Sequence, residues 1–141
     1  SGIGTDIRQA ELEQTFPMLK GRVISAGLTD KELALAYKYA LAVVLPSHIE
    51  GFGLPVIEAL AANGLPLIAN TRGLREAGGD SCLKFSPTKP HQLALICQLL
   101  LDSKIRADLL NRLAFKRKVR LAKLNSDLLG LCLLTMARQL V

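Results

Sequence analysis

The sequence predicts an α/β fold: a parallel sheet with helices on both faces. Three observations carry that expectation. Strand-like and helix-like segments alternate along the chain, the pattern of β-α-β units joined by crossovers. The segment Leu41-Ala42-Val43-Val44-Leu45 is apolar without polar alternation, as in a strand buried on both faces. Half of the residues are hydrophobic but only 4% are aromatic and Trp is absent, so the core is built from Leu, Ala, Val and Ile. That composition suits a helix-covered parallel sheet better than a β-sandwich. A chain of 141 residues is one domain with room for a real core.

The elements are expected as follows. Residues 6–19 place Ile7, Ala10, Leu12, Phe16 and Leu19 at helical spacing between charges. Val23 to Ala26 reads as a short strand. Thr29 then fits an N-cap, with Glu32 three residues on completing a capping box for a helix running to Tyr39. After the strand Leu41–Leu45, Pro55 is placed as first residue of a helix running from Val56 to Ala62. Pro66 to Ala69 is the next strand, Asn70 to Gly73 a loop, and a short helix starts near Leu74. Cys82 to Phe85 is the last short strand, closed by Pro87, and helices fill 90–101 and 103–115.

The chemistry concentrates in Pro46-Ser47-His48-Ile49-Glu50-Gly51-Phe52-Gly53-Leu54-Pro55-Val56-Ile57-Glu58. A glycine-bearing turn between strand and helix aims free backbone N–H groups at a positive helix end, where α/β folds hold phosphate. Glu58, expected in the first helical turn, can accept two vicinal hydroxyls such as those of a ribose. Read alone, it fits dipole complementation at a helix N-terminus better, worth about 0.3–1 kcal/mol. Glu50, read alone, is a solvated loop carboxylate. Phosphate, ribose and a second carboxylate together suit a nucleotide sugar.

This stretch resembles the signature of the retaining family-4 glycosyltransferases, the glycosyl transferases group 1. The resemblance covers roughly residues 20 to 112. It runs through Arg22 to Gly27, Thr29 to Leu33, Tyr37, Pro46-Ser47, Glu50 to Pro55, Glu58 to Ala61, Gly64-Leu65-Pro66 and Gly73 to Glu76. It implies a Rossmann-like sheet forming part of the C-terminal domain of a GT-B fold. The implied activity is transfer of a sugar from a UDP- or GDP-linked donor to a hydroxyl acceptor. By the resemblance Glu50 takes the catalytic position facing the donor sugar, either as a nucleophile or, the favoured reading, by supporting charge as the leaving group departs. Glu58 accepts both ribose hydroxyls. Gly51, Phe52 and Gly53 present backbone N–H groups to sugar and phosphate, Ser47 and Leu54 complete the donor-binding set, and Leu28 and Thr29 meet the nucleobase. Arg75 either reaches the donor phosphate or is solvated. No cofactor and no metal are expected, since no Asp-x-Asp motif of the metal-dependent type is present.

The resemblance also defines what is expected to be missing. An N-terminal acceptor domain is a required partner. So is an early Arg and Lys pair that would neutralise the diphosphate; nothing before Val23 supplies it. Ser1 to Gly4 reads as the remnant of a glycine-rich turn. The chain is thus expected to be a fragment, inactive alone. The alternative is a non-catalytic half-domain or assembly subunit working with a separate chain, marked by partner-dependent folding. Residues 1–115 are read as a partial nucleotide-sugar-binding domain and 116–141 as a basic and apolar helical segment.

The net charge of +6 suits anionic ligands. Nucleic acid is not expected, because the basic residues are not interleaved with aromatics for base stacking. Lys116, Arg117, Lys118, Arg120 and Lys123 alternate with Phe115, Val119, Leu121 and Leu124. This is either a solvated helix face or a peripheral contact with an anionic membrane. Leu128 to Leu134 is apolar but too short to span a bilayer and is expected to pack on a domain or partner. Cys82, Cys97 and Cys132 lack zinc spacing and read as buried thiols. A cytoplasmic protein, either free or peripheral to the inner membrane face, is expected from these features and the lack of a signal-peptide pattern. His48 and His91 read as solvated or structural.

Overall fold

A computed structural model describes residues 3–48 and 51–126. Three parallel strands, β1 (Val43–Leu45), β2 (Pro66–Ala69) and β3 (Leu83–Phe85), lie in that order. Helix α1 (Ile3–Thr15) and a short 3-10 turn (Pro17–Leu19) precede α2 (Asp30–Tyr39) and β1. Helix α3 (Leu54–Ala61) links β1 to β2 and α4 (Arg72–Gly78) links β2 to β3. Helices α5 (Pro90–Leu100) and α6 (Ser103–Ser126) follow. The register pairs Val44 with Leu67 and Ile68 with Lys84.

The α/β class and parallel sheet are as expected. Leu67 and Ile68 point to opposite faces of β2, and both are 0% exposed, so the central strand is covered on both sides. The core gathers Val56, Ile57 and Leu60 of α3 with Leu67, Ile68, Leu74, Ala77, Phe85 and Leu124. Helix α3 is apolar nearly all round because it contacts the sheet, α4, α2 and α6.

Local chemistry sets the helix ends. Thr29 and Glu32 form the expected box: the Thr29 N–H donates to Glu32 Oε2 at 2.8 Å, and the Glu32 N–H donates to Thr29 Oγ1 at 3.4 Å. Hydrogen bonds from the Thr29 backbone and then its hydroxyl hold the Glu32 carboxyl below its ordinary pKa. At the far end of α3, Asn63 takes a left-handed φ of 61°. Gly64 N–H then reaches Ala59 O at 2.8 Å and Asn63 N–H reaches Leu60 O at 3.2 Å. These two bonds satisfy the last carbonyls of the helix. Asp102 Oδ1 accepts from the N–H groups of Lys104 and Ile105, capping α6.

Several expectations are corrected. Val23 to Ala26 is not a strand. A strand needs a neighbour to bond. Here the Ser25 N–H goes instead to Gln9 Oε1 of α1 at 3.0 Å, and Ile24 is 87% exposed. The strand expected over Leu41–Leu45 is confined to Val43–Leu45 and is not buried on both faces: Val44 is 38% exposed. Among the described residues it is an edge strand, bonded to β2 alone. The first helix begins at Ile3, so Ile3 and Gly4 are helical rather than a turn, and it stops at Thr15. Phe16 lies before Pro17, which disfavours the helical backbone there. Helix α6 runs unbroken to Ser126, joining the helix expected over 103–115 to the start of the basic helical segment, with Leu121 and Leu124 turned into the core.

Cys82 is buried, and burial pushes its thiol up to about 12, so it is inert at neutral pH. Cys97 is only half-buried. Cys132 and the apolar stretch Leu128–Leu134 lie outside the described residues. No helix among the described residues is long and apolar enough to cross a membrane.

Candidate functional site

Parallel strands end at one edge of the sheet, and ligands of such folds sit there. The loop after β1 is the one rich in glycine. It passes through Pro46, Ser47 and the exposed His48, then through Gly51 and Phe52 into Gly53. Gly53 is the N-cap of α3 with φ 70° and ψ 47°. A Cβ there would lie 3.1 Å from Ala77 Cβ and 3.2 Å from Leu74 Cδ2. Only glycine combines the left-handed backbone with this close approach to α4. The loop after β1 is thus pinned against the helix that follows β2. Phe52 packs on the core and anchors the loop from below. Gly51 is exposed, with open space around its Cα.

The helix starts one residue earlier than expected. Leu54 is its first residue and Pro55 its second, and Leu54 is exposed. The Val56 N–H bonds Gly53 O at 2.9 Å and Pro55 has no N–H. The amides of Gly53 and Leu54 therefore remain as helix-end donors outside the helix's own ladder. Glu58 is the fifth helical residue, in the second turn rather than the first, and α3 has no acid in its first turn. Helix-dipole complementation falls off within one turn, so it does not account for Glu58.

Glu58 is half-buried, and Tyr37 donates its hydroxyl to Glu58 Oε2 at 3.3 Å. The Tyr37 hydroxyl is pushed up to about 12, by burial first and then by the Glu58 charge and the hydrogen bond. It therefore stays a donor throughout the neutral range. The contact joins α2 to α3. Tyr37 appeared in the sequence only as one of the family-like positions; its half-buried place on α2 gave no sign of what its hydroxyl meets.

The other expected residues are distributed as follows. Leu28 and Thr29 lie at the start of α2, Leu28 exposed and Thr29 committed to its cap. Thr29 spends its hydroxyl and its N–H on Glu32. Glu50, the catalytic candidate, lies outside the described residues, as does Ile49. Arg75 is exposed on α4. Its neighbour Glu76 pairs with Arg72 at 2.9 Å on the surface. His91 is exposed in the first turn of α5. Among the described residues no group of three or more His, Cys, Asp or Glu could hold a metal ion.

The basic run divides. Arg120 turns inward: its Nε donates to Ala77 O at 2.9 Å and its Nη2 to Glu76 O, tying off the end of α4. Arg117 is half-buried, and burial lowers its pKa. Lys116, Lys118 and Lys123 face outward beside Phe115, which is 74% exposed, and Val119, which is 52% exposed. Phe115, Lys116, Val119, Arg120, Lys123 and Asp80 line a shallow, mostly apolar depression of about 220 Å³.

Fold and loop together define an α/β domain of the kind that binds ligands where strands end and helices begin. Residues 4–117 match the family model described as Glycosyl transferases group 1, and the chain belongs to that family. Over 83 residues it is 39% identical to an MMP alpha-(1->4)-mannosyltransferase of Mycolicibacterium hassiacum, covering 56% of this chain and 20% of the relative. Over 79 residues it is 38% identical to the O-antigen chain mannosyltransferase B of Escherichia coli, covering 55% of this chain and 20% of the relative. The serotype-specific mannosyltransferase WbdA of Escherichia coli is 33% identical over 81 residues, covering 57% of this chain and 10% of the relative. The chain thus spans a fifth or less of the length of these relatives. No solved structure matches it.

Proposed function

We propose that this chain supplies the donor-binding part of a retaining, family-4 glycosyltransferase. The donor is a UDP- or GDP-linked sugar and the acceptor a hydroxyl presented by a separate N-terminal domain. The observation that carries the reading is the loop from Gly51 to Leu54, held against α4 by Gly53 and opening a helix whose second turn carries Glu58. Loop amides receive the diphosphate and donor sugar, Glu58 the ribose hydroxyls, and Glu50 faces the donor sugar. The names of the relatives point to mannose as the sugar moved.

Catalysis of this kind depends on stabilising the departing diphosphate, and a binding loop alone supplies only part of that. The 141-residue chain is expected to bind nucleoside diphosphates without sugar transfer. Incubation with UDP- and GDP-linked sugars and a mannoside acceptor, followed by mass spectrometry of the products, checks this. Turnover by the chain alone contradicts it.

The outward face of α6 adds a peripheral contact with an anionic membrane to this reading. Every charged residue from Arg112 to Lys123 is basic, and exposed Phe115 and Val119 sit among them. A lysine near an anionic surface contributes about 1 kcal/mol, so Lys116→Ala with Lys123→Ala should lower vesicle partitioning about thirtyfold. Equal co-sedimentation with neutral and phosphatidylglycerol-rich vesicles overturns this contact.

A further inference from the structure

We propose that Tyr37 is a positioning residue for the donor site, holding Glu58 in the orientation that receives both ribose hydroxyls. The inference rests on the donor-site reading above. It starts from a polar contact of the Glu58 side chain, the Tyr37 hydroxyl on Oε2 at 3.3 Å.

A glutamate side chain has three rotatable bonds, and a half-buried one at a helix surface samples several rotamers unless held. A carboxylate accepts through about four lone-pair sites. Tyr37 occupies one of them on Oε2 and leaves Oε1 and the remaining site to two vicinal hydroxyls. Tyrosine suits the task because its hydroxyl remains protonated to about 12 and so always donates. At 3.3 Å the bond is long for an O–H···O pair, as contacts in catalytic sites commonly are before substrate binds.

The backbone is arranged for this contact at the expense of sequence freedom elsewhere. A Cβ at Gly64 would lie 2.5 Å from Tyr37 O, so glycine there lets the end of α2 settle against the end of α3. A helical side chain leans back toward its own N-terminus. With the Tyr37 carbonyl at Gly64, its ring therefore leans back toward Glu58, six residues earlier in the chain. Asn63 takes the left-handed turn that ends α3, which frees Gly64 for this close packing. The two helices are thus fitted at one end so that a phenol can reach a carboxylate further back.

The test is a set of calorimetric titrations of the whole chain with UDP, GDP, their 2′-deoxy analogues and inorganic pyrophosphate. The variants are Tyr37→Phe, Glu58→Ala and the double variant. Tyr37→Phe keeps the ring and its packing, and thermal melting monitors the fold. The inference expects Tyr37→Phe to weaken UDP or GDP binding about threefold to tenfold. It expects the preference for the ribonucleotide over the 2′-deoxy analogue to narrow, pyrophosphate binding to stay unchanged, and the double variant to bind no worse than Glu58→Ala. A merely structural tyrosine would not change the ribose preference. If Glu58→Ala weakens binding while Tyr37→Phe keeps wild-type affinity and preference, the inference fails and the donor-site reading stands. If Tyr37→Phe weakens binding as much in the Glu58→Ala background, Tyr37 acts apart from Glu58 and the inference fails again. If Glu58→Ala changes nothing, or the wild-type chain binds no nucleotide, the donor-site reading itself fails.

Discussion

Glu58→Ala is expected to weaken the binding of UDP or GDP at least tenfold, measured by calorimetry on the whole chain. Charge-assisted hydrogen bonds contribute about 1.5–3 kcal/mol each, and tenfold in affinity is about 1.4 kcal/mol. Loss of even one of two ribose contacts reaches that threshold. The effect on folding should be smaller. Glu58 is only half-buried, and its removal leaves one part-buried hydroxyl, that of Tyr37, without its acceptor. That costs about 1 kcal/mol. A variant that melts close to the wild type yet binds weakly is the expected pattern. Unchanged affinity removes Glu58 from the site.

Gly64→Ala is expected to be strongly destabilising. The backbone of Gly64 needs no left-handed conformation, so the effect is steric alone. The added Cβ meets Tyr37 O at 2.5 Å and Ala59 O at 3.1 Å, both backbone atoms that cannot rotate away. Overpacking of this kind costs about 1–3 kcal/mol, and the fixed neighbours place this case toward the upper end. Because the displaced element is the end of α2, Tyr37 moves with it, and nucleotide affinity should fall together with the urea midpoint. Gly51→Ala is the control for the urea midpoint alone, since nothing lies within 4 Å of a Cβ there and the site is exposed. Equal midpoints for the two variants would contradict the packing described.

What the sequence made legible was set by local chemistry. The capping box of Thr29 and Glu32, the buried strand Pro66–Ala69 and the glycine loop before α3 each carry their cause within a few residues. What it hid depended on neighbours. Val23 to Ala26 has strand composition, but Gln9 takes the Ser25 N–H and no strand among the described residues lies beside it. Val44 reads as buried because it sits in an apolar run, yet β1 is an edge. Part of the basic run looked like one solvated surface until Arg120 was seen tying off α4 and Leu124 filling the core.

The candidate site shows the same division. Gly53 and Glu58 were visible through the resemblance of the whole loop to a family signature, a glycine turn followed by a carboxylate. The placement of Glu58 in the second turn was missed because Leu54, not Pro55, starts the helix. Tyr37 was out of reach of any local argument, since it meets Glu58 across 21 positions of sequence. Gly64 read as part of a helix end, and its tight approach to Tyr37 appears only in three dimensions.

The central claim is that the loop entering α3 holds the nucleoside diphosphate of a sugar donor. Backbone amide NMR of the chain, titrated with UDP and with GDP, tests it most directly. The account predicts the largest shifts at the amides of Gly51, Phe52, Gly53 and Leu54, with smaller ones at Tyr37 and Glu58. Shifts confined to the basic face of α6, around Lys116 and Lys123, or unmoved loop amides at saturating nucleotide, would contradict it.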